Sequence, residues 1–438
     1  MFARYRAAAI GVCGLALAVT TLLAGSSQVP APAQGAGQPP PGGGRGQGQG
    51  RGAGGGGGRG AAQPITIRAA RLLDGAGNTL ENAVVEVQGS KITAVDQRSG
   101  PVTYDLGDVT VMPGMIDVHV HLQWIFGPDG HYGGRGVLPS YTTDAVLENA
   151  RATLMAGFTT VQSLGWAGDK GLRDAVNAGT INGPRIITSL SQIQGGNSTP
   201  DQLRERVRQA KADGADVIKF FASASIRDGG KMNVTQEQVD AVCGEAKAQG
   251  LRTLVHAHST ESILASVKAG CTQIEHGMFA NDAAIKAMAD AHVYFDPNIG
   301  LVLQNYIEHR DEYEGAGNFN EDSFAAMQAA IPGGVEVFKK ALAAGIKMPM
   351  GTDAVAGAHG HNAREIIARV QKGGQKPMDA IVGATSLSAE SMNLGTHIGT
   401  LKAGYDADII AVAGDPVKDI TKLRDVGFVM RVGKVMKK

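Results

Sequence analysis

Short apolar runs with the composition of β-strands alternate with helical patterns through the middle of the chain, and turn residues separate them. Eight such runs are predicted to be strands: 114–122, 158–164, 185–191, 216–222, 252–258, 272–276, 292–297 and 346–352. Helical patterns follow most of them. Strands that each precede a helix, over about 250 residues in all, are typical of a (β/α)8 TIM barrel, which we predict here. A doubly wound open sheet is the alternative, but it does not explain where the chemically active residues fall.

Two of the predicted helices have clear beginnings. Thr199 followed by Pro200 fits a helix N-cap and first-turn pair, and Thr235 with Gln238 fits a capping box. Gly250 is expected to end the second of these helices.

Two groups of β-rich runs flank the predicted barrel. They lie at 65–72, 83–87 and 91–95 before it, and at 408–412 and 426–435 after it. Because the termini of a compact protein often lie close together, we expect residues 64–112 and 396–438 to pair into a small β-sandwich. Residues 113–395 are then left for the barrel.

The beginning of the chain has the features of a secretory signal peptide. Arg4 and Arg6 precede an apolar stretch from Ala7 to Ala24, and Ala31-Pro32-Ala33 fits a cleavage site. We therefore predict a signal peptide at 1–33 and an exported protein, periplasmic or secreted. An uncleaved membrane anchor is the alternative, since the stretch is near the lower length limit for spanning a bilayer.

Residues 34–63 are rich in Gly and Arg and are predicted to be a disordered linker. The linker contains no aromatic residue, which favours a solvated tether over an RNA-binding segment. The whole chain of 438 residues balances 41 Lys and Arg against 41 Asp and Glu. No nucleic-acid partner is therefore expected. No stable membrane partner is expected after leader cleavage, and a homo-oligomer stays open.

The chain contains three cysteines, one of which, Cys13, lies in the predicted leader. Cys243 falls on a helical pattern and Cys271 enters an apolar run, so both are predicted to be buried small side chains. A disulfide between them is compatible with an oxidising compartment, but their spacing does not indicate one.

Residue types that bind metal ions recur at the ends of the predicted strands. His119 and His121 end the first strand, and side chains at i and i+2 point the same way, so both imidazoles could hold one ion. His256, His276 and Asp353 end the fifth, sixth and eighth strands. TIM-barrel active sites lie at the face where the strands end. Because these His and Asp residues all lie at the same end of their strands, together they predict a metal site at that face of the barrel.

Lys219 interrupts the otherwise apolar fourth strand. An unpaired buried ammonium is unfavourable, so the side chain either extends towards solvent or has a special environment. Taken alone, the first interpretation would suffice. A buried amine that stays neutral can instead react with carbon dioxide to form a carbamate, whose two oxygens could bridge two cations.

Several stretches resemble the amidohydrolase superfamily over residues 64–438. The stretches are Met112 to His121, Val217 to Lys219, His256 to His258, Ile274 to Gly277, Gly351 to Ala354 and Gly399 to Asp408. Gly157 to Val161 and His359 to Glu365 are similar to the imidazolonepropionase-related branch that includes Xaa-Pro dipeptidases.

The resemblance implies two divalent metal ions, with zinc as the expected metal. One ion is held by His119, His121, a carboxylated Lys219 and Asp353, and the other by Lys219, His256 and His276. The resemblance also implies that Asp353 takes a proton from the water that bridges the ions.

The predicted function is hydrolysis of a C–N amide bond in a small molecule or dipeptide. Xaa-Pro-like dipeptides and N-acyl amino acids are the expected substrates. The attacking group is a hydroxide that bridges the metals, and Asp353 acts as general base and then general acid. His258 and His359 are candidate substrate contacts, although a supporting role for His258 has equal weight. Trp124 and Trp166 are candidates for apolar walls of the site, and plain packing explains them equally well.

The loop after the third predicted strand, 192–197, departs from the branch, whose members commonly have a longer Thr-Gly-Gly-His segment there. Because this loop is expected to border the active site, the resemblance does not imply the substrate preference of that branch for this chain. One alternative function is a mononuclear deaminase or cyclic-amide hydrolase of the same superfamily, for which Glu261, three residues after His258, is the relevant acid. Another is an exported barrel that binds a ligand without catalysis.

Overall fold

The computed structural model describes residues 63–133 and 140–438. The predicted signal peptide at 1–33 and the predicted linker up to residue 62 lie outside the described residues. Within the described ranges, no helix has both the length and the apolar character needed to cross a membrane.

The described part of the chain contains β-strands and α-helices that alternate through its middle. The strands are β1 (Ile65–Leu73), β2 (Thr79–Gln88), β3 (Lys91–Asp96), β4 (Tyr104–Asp105), β5 (Val109–Pro113), β6 (Met115–Val120), β7 (Phe158–Ser163), β8 (Arg185–Thr188), β9 (Gln192–Gln194), β10 (Val217–Phe221), β11 (Arg252–Ser259), β12 (Gln273–Phe279), β13 (Tyr294–Asp296), β14 (Ile409–Ala413), β15 (Val426–Arg431) and β16 (Lys434–Lys437). The α-helices are α1 (Asp144–Met155), α2 (Asp169–Asn177), α3 (Pro200–Asp213), α4 (Gln236–Ala248), α5 (Thr260–Lys268), α6 (Asp282–Asp290), α7 (Val302–Glu308), α8 (Arg310–Tyr313), α9 (Glu321–Ala343), α10 (Ala363–Gln371), α11 (Pro377–Gly383) and α12 (Ser386–Ser391). Two short 3-10 helices lie at Ile226–Asp228 and Ile420–Arg424.

The parallel strands of the barrel form two hydrogen-bonded groups. One group has the order β6-β7-β8 and the other β13-β12-β11-β10-β9. The backbone N–H of Asp216, just before β10, donates to the carbonyl of Thr188 in β8 at 2.8 Å and joins the groups. The chain therefore has the predicted (β/α)8 TIM-barrel fold, with the short extra strand β9 inserted after the third barrel strand.

The eighth barrel strand is an irregular extended segment. Phe295 in β13 donates its N–H to Lys347 at 3.1 Å, and Val118 in β6 donates to Met350 at 2.9 Å. These two bonds connect the last segment to its neighbours on both sides and close the barrel. The sequence therefore predicted correctly that residues 346–352 occupy the eighth position of the barrel. It was wrong in predicting a regular β-strand there.

In this segment, backbone N–H groups donate hydrogen bonds to side chains, where a regular strand would donate them to the backbone of its neighbour. Pro349 has no N–H to donate. The N–H of Gly351 donates to Asp296 Oδ1 at 2.9 Å, and the N–H of Thr352 donates to Asp117 Oδ1 at 3.0 Å. The backbone polar groups are satisfied, but by carboxylates rather than by a neighbouring strand.

Both ends of the described chain contribute to a second sheet. Its strand order is β16-β15-β14-β5-β1-β2-β3, and β4 pairs with β1. Ile92 of β3 donates its N–H to Tyr405 at 2.9 Å, and the ring centroids of Tyr104 and Phe428 are 5.6 Å apart. Elements that are far apart in the strand order are thus in contact, so the sheet folds over on itself around an apolar core.

The predicted helix caps are confirmed. The Thr199 side chain accepts a hydrogen bond from the N–H of Gln202 at the start of α3. Thr235 and Gln238 form the predicted capping box of α4. Gly250, two residues after α4, has φ +68°, a left-handed conformation that ends the helix.

Cys243 and Cys271 form a disulfide bond with a Cα–Cα distance of 5.2 Å. Both side chains are 2% exposed, so the predicted burial is confirmed, and the disulfide that the sequence left open is formed. Their positions on α4 and just before β12 are brought together by the barrel, which the sequence spacing of 28 residues did not reveal.

Arg185 fastens the barrel to the second sheet. Its guanidinium donates to Asp408 Oδ2 and to Asp406 Oδ2, both at 2.7 Å. Only 18% of the arginine side chain is exposed, so the contacts are weakly screened by solvent.

Replacing this arginine, Arg185→Met, is expected to lower the free energy of unfolding by about 2 to 3 kcal/mol, because two partly buried carboxylates lose their counter-charge. Urea denaturation measures the change. The matched variant Arg151→Met breaks an exposed pair with Glu148 on α1 and is expected to leave the free energy of unfolding nearly unchanged. Equal, small effects of both changes would show that Arg185 does not hold the two parts together.

Candidate metal centre

The six predicted metal ligands meet at one cavity at the end of the barrel. Its lining includes all six side chains: His119, His121, Lys219, His256, His276 and Asp353. They come from β6, β10, β11, β12 and the irregular last segment of the barrel.

Asp353 lies between the two histidines of the first barrel strand. Its Oδ1 is 3.3 Å from His119 Nε2 and 3.0 Å from His121 Nε2. His121 donates from Nδ1 to the carbonyl of Leu164 at 2.7 Å, so its Nε2 carries the free lone pair. The three side chains together present two imidazole nitrogens and a carboxylate to one point.

Lys219 lies beside this group, and 1% of the residue is exposed. Its Nζ is 3.2 Å from His119 Nε2. The side chain therefore points into the cavity, and the interpretation in which it extends to solvent is excluded.

His256 and His276 form the other half of the centre, with ring centroids 4.7 Å apart. The His276 ring is also 5.4 Å from that of His119. His256 Nε2 is 3.2 Å from the carbonyl of Ala224, so its Nδ1 is the nitrogen left for another partner. Phe221 stacks on the His256 ring at 4.6 Å and fixes its plane.

Burial keeps the four imidazoles neutral. It lowers the pKa of His119 and of His121 to about 4, and it lowers the pKa of His256 and His276 well below the usual value. The positive charge of Lys219 acts on all four pKa values in the same direction. Neutral imidazole is the form that binds a cation, so these rings need no deprotonation at neutral pH.

The Asp353 carboxylate remains charged in the same surroundings. Burial acts to raise its pKa, but the neighbouring His119 and His121 outweigh burial and hold the pKa below the usual value. Asp353 and His276 also adopt left-handed backbone conformations, with φ of 52° and 69°. Such conformations are unfavourable for residues other than glycine and are found where a side chain must be aimed.

Two buried carboxylates that sequence analysis missed lie on the other side of His119. Glu275 Oε2 is 2.7 Å and Asp296 Oδ2 is 3.8 Å from His119 Nδ1. Burial raises the pKa of Glu275 to about 7 and that of Asp296 well above its usual value. A carboxylate behind a metal-binding imidazole fixes its tautomer and orientation. An acidic residue inside the apolar sixth strand was the signal for Glu275.

Asp117 is a third carboxylate that the sequence analysis left without a role. It is fully buried and accepts from Thr352 Oγ1 at 2.6 Å and from Asn362 Nδ2 at 2.7 Å. Burial raises its pKa to about 7, against the effect of these bonds. Asp117 thus holds Thr352, the residue next to Asp353. The sequence feature that could have indicated this role is the position of Asp117 in the first barrel strand, two residues before His119.

The predicted substrate contacts have different positions. His258 lines the cavity and stacks on His276 with centroids 5.0 Å apart. His359 lies behind His121, with Nε2 3.1 Å from the carbonyl of His121, and it is absent from the described lining of the cavity. Contact of His258 or His359 with a substrate stays a prediction.

The two tryptophans also differ. Trp124 lines the cavity and stacks on His121 at 4.9 Å. Trp166 packs against the hydrophobic core and is not among the described cavity residues. Glu261, the acid on which the deaminase alternative depends, is exposed on α5 and also lies outside that lining.

Comparisons with known proteins agree with the geometry. The sequence profile of the amidohydrolase family matches residues 110–438. Ochratoxinase from Aspergillus niger is 27% identical over 433 aligned residues, which cover 86% of this chain and 87% of that protein. Imidazolonepropionase from Streptococcus sanguinis is 22% identical over 387 residues, covering 75% of this chain and 83% of that protein.

A solved structure of a Xaa-Pro dipeptidase with bound methionine in the active site is 28% identical, with a TM-score of 0.75. The match covers 86% of this chain and all of that one. The resemblance stated from the motifs is thus confirmed. The chain belongs to the amidohydrolase family and is a hydrolase that acts on carbon–nitrogen bonds.

Proposed function

We propose that this protein is a two-metal amidohydrolase that cleaves the amide bond of a dipeptide or an N-acyl amino acid. The observation that carries the proposal is the meeting of four neutral imidazoles, a buried lysine and a charged aspartate at one cavity. The similar proteins named ochratoxinase and Xaa-Pro dipeptidase support the choice of an amide substrate.

The donor set fits two divalent cations. We propose that His119, His121, Lys219 and Asp353 hold one ion and that Lys219, His256 and His276 hold the other. Imidazole nitrogen with a carboxylate is a donor set that suits zinc, which we propose as the metal. The free lone pairs of His121 Nε2 and His256 Nδ1 support this assignment, because their other nitrogens lie at backbone carbonyls.

Lys219 is proposed to act as a carbamate. Its neutral amine adds to carbon dioxide, forming a C–N bond and releasing one proton, and the product carries a negative charge on two oxygens. The Lys219 Nζ lies 3.2 Å from His119 Nε2 and lines the cavity together with His121, His256 and His276, so a carbamate there is placed to bridge the two pairs of imidazoles. An ammonium at the same place would repel cations.

When bound, divalent cations supply an activated water and polarise the scissile carbonyl. Asp353 would accept a proton from the attacking water at its carboxylate, which lies 3.3 Å from His119 Nε2 and 3.0 Å from His121 Nε2, and would then pass this proton to the leaving nitrogen. Glu275 keeps His119 oriented, and His258 presents a polar atom to the substrate from the cavity wall.

The function is tested by a screen of Xaa-Pro dipeptides, other dipeptides and N-acyl amino acids with zinc and bicarbonate present. Asp353→Asn is expected to lower kcat at least about 100-fold, because the proton carrier is lost while the fold is kept. The matched variant Asp290→Asn, at the exposed end of α6, is expected to retain full activity. Near-normal turnover of Asp353→Asn would remove Asp353 from the proposed role.

Lys219→Ala is expected to lose most of the bound metal and most of the activity, because the bridging anion is gone. A short carboxylic acid such as propionate should restore part of both, which elemental analysis and the hydrolysis assay measure. Lys170→Ala, an exposed lysine on α2, serves as the control and should not respond to propionate. Unchanged metal content in Lys219→Ala would rule out the bridge.

We also propose that the protein is exported, with residues 1–33 as a cleaved leader. The disulfide between Cys243 and Cys271 supports this proposal, because disulfides persist in oxidising compartments.

Cell fractionation tests the export proposal. When the protein is expressed with residues 1–33, we expect to find it outside the cytoplasm and without these residues. Cys243 and Cys271 should not react with a thiol reagent until a reductant is added. The variant without residues 1–33 should remain in the cytoplasm as a folded protein. A full-length chain retained in the cytoplasm with reactive thiols would contradict the proposal.

A further inference from the structure

One cationic side chain in the cavity has no part in the proposed metal centre. Arg227 lies on the short 3-10 helix between β10 and α4 and lines the same cavity as Asp353 and His258. It is half-buried, and nothing in the sequence motifs pointed to it.

The guanidinium group of Arg227 rests on aromatic rings. Its central carbon is 4.0 Å from the ring centroid of Phe319 and 5.7 Å from that of Tyr306. The Phe319 ring in turn packs against Tyr313 at 4.8 Å and Tyr306 at 5.0 Å. Stacking on a packed aromatic cluster fixes the plane of the guanidinium and reduces the entropy that a ligand would otherwise have to overcome.

The backbone around Arg227 is also fixed. Asn318 donates from Nδ2 to both carboxylate oxygens of Asp228, at 2.9 and 2.8 Å. This contact ties the loop that carries Arg227 to the segment that carries Phe319.

Arg227 has no carboxylate within ion-pair distance in the described ranges, and its buried Nε has no hydrogen-bond acceptor there. Arg310 offers a contrast in the same region. It also stacks on an aromatic ring, that of Phe324, but its guanidinium is paired with Glu321. A partly desolvated guanidinium without a counter-ion is suited to an anionic ligand, and its fork of N–H donors matches a carboxylate.

The lining of the same cavity also contains four apolar side chains, those of Met278, Val302, Leu303 and Met327. We infer that Arg227 binds the free carboxylate of the leaving amino acid, while these side chains receive an apolar side chain of the same amino acid. The inference rests on the proposed amide hydrolysis. It assigns the substrate class as amides whose amine part is an apolar amino acid with a free carboxylate.

The test uses dipeptides and N-acyl amino acids with an apolar last residue, each beside its C-terminal carboxamide, and measures cleavage of the same internal amide. Wild-type protein is expected to prefer the free acids roughly 10- to 100-fold in kcat/KM, the effect of one charge-assisted contact. Arg227→Met should lose that preference, mainly through a higher KM for the acids, and should change hydrolysis of the carboxamides by less than about threefold.

Arg310→Met is the matched control, because it also removes an arginine stacked on an aromatic ring but one that is already paired. It should keep the preference for the free acids. Melting temperature and metal content are compared among all three proteins, since a purely structural role of Arg227 would affect acids and carboxamides alike.

Different results would contradict the proposed function and the assignment of Arg227. Wild-type protein that cleaves no member of the panel would overturn the proposed function and the inference with it. Wild-type protein that cleaves acids and carboxamides equally, or Arg227→Met that keeps the preference for acids, would overturn only the assignment of Arg227.

Discussion

The end of the barrel that carries the cavity buries many ionisable groups, and its structure depends on pairing each of them. Imidazoles, a lysine side chain and several carboxyl groups lie there almost without contact with solvent. Each would destabilise the fold if its charge and hydrogen bonds were unmatched. Asp296 is matched by Arg369 at 3.0 Å, and Arg369 is matched in turn by Glu365 at 3.0 Å. The support for the cavity thus extends outward to helix α10.

The irregular last segment of the barrel is a direct result of this matching. Buried carboxylates need N–H donors, and the segment supplies them from Gly351 and Thr352. The segment therefore lacks the regular hydrogen bonding of a β-strand. Asp353 adopts a left-handed backbone conformation, and its side chain lies next to His119 and His121. Irregular backbone and functional geometry are therefore two aspects of the same set of hydrogen bonds.

The sequence could predict whatever depends on local pattern. Strand periodicity located the barrel, and residues at strand ends such as His119 and His276 located the centre. It could not predict contacts that the closed barrel creates between distant segments, such as the pairing of Cys243 with Cys271. Arg227 was missed for the same reason, because its place in a loop has no periodicity and its aromatic support comes from residue 319.

The second sheet joins segments that are translated far apart in time. Strand β5 pairs with β14, so Val111 lies opposite Ala411. Until the ribosome has completed the last strands, β5 keeps an unpaired edge, and such edges attract other chains. The N-terminal strands must therefore wait until the whole barrel and strand β14 have been synthesised before this sheet can close.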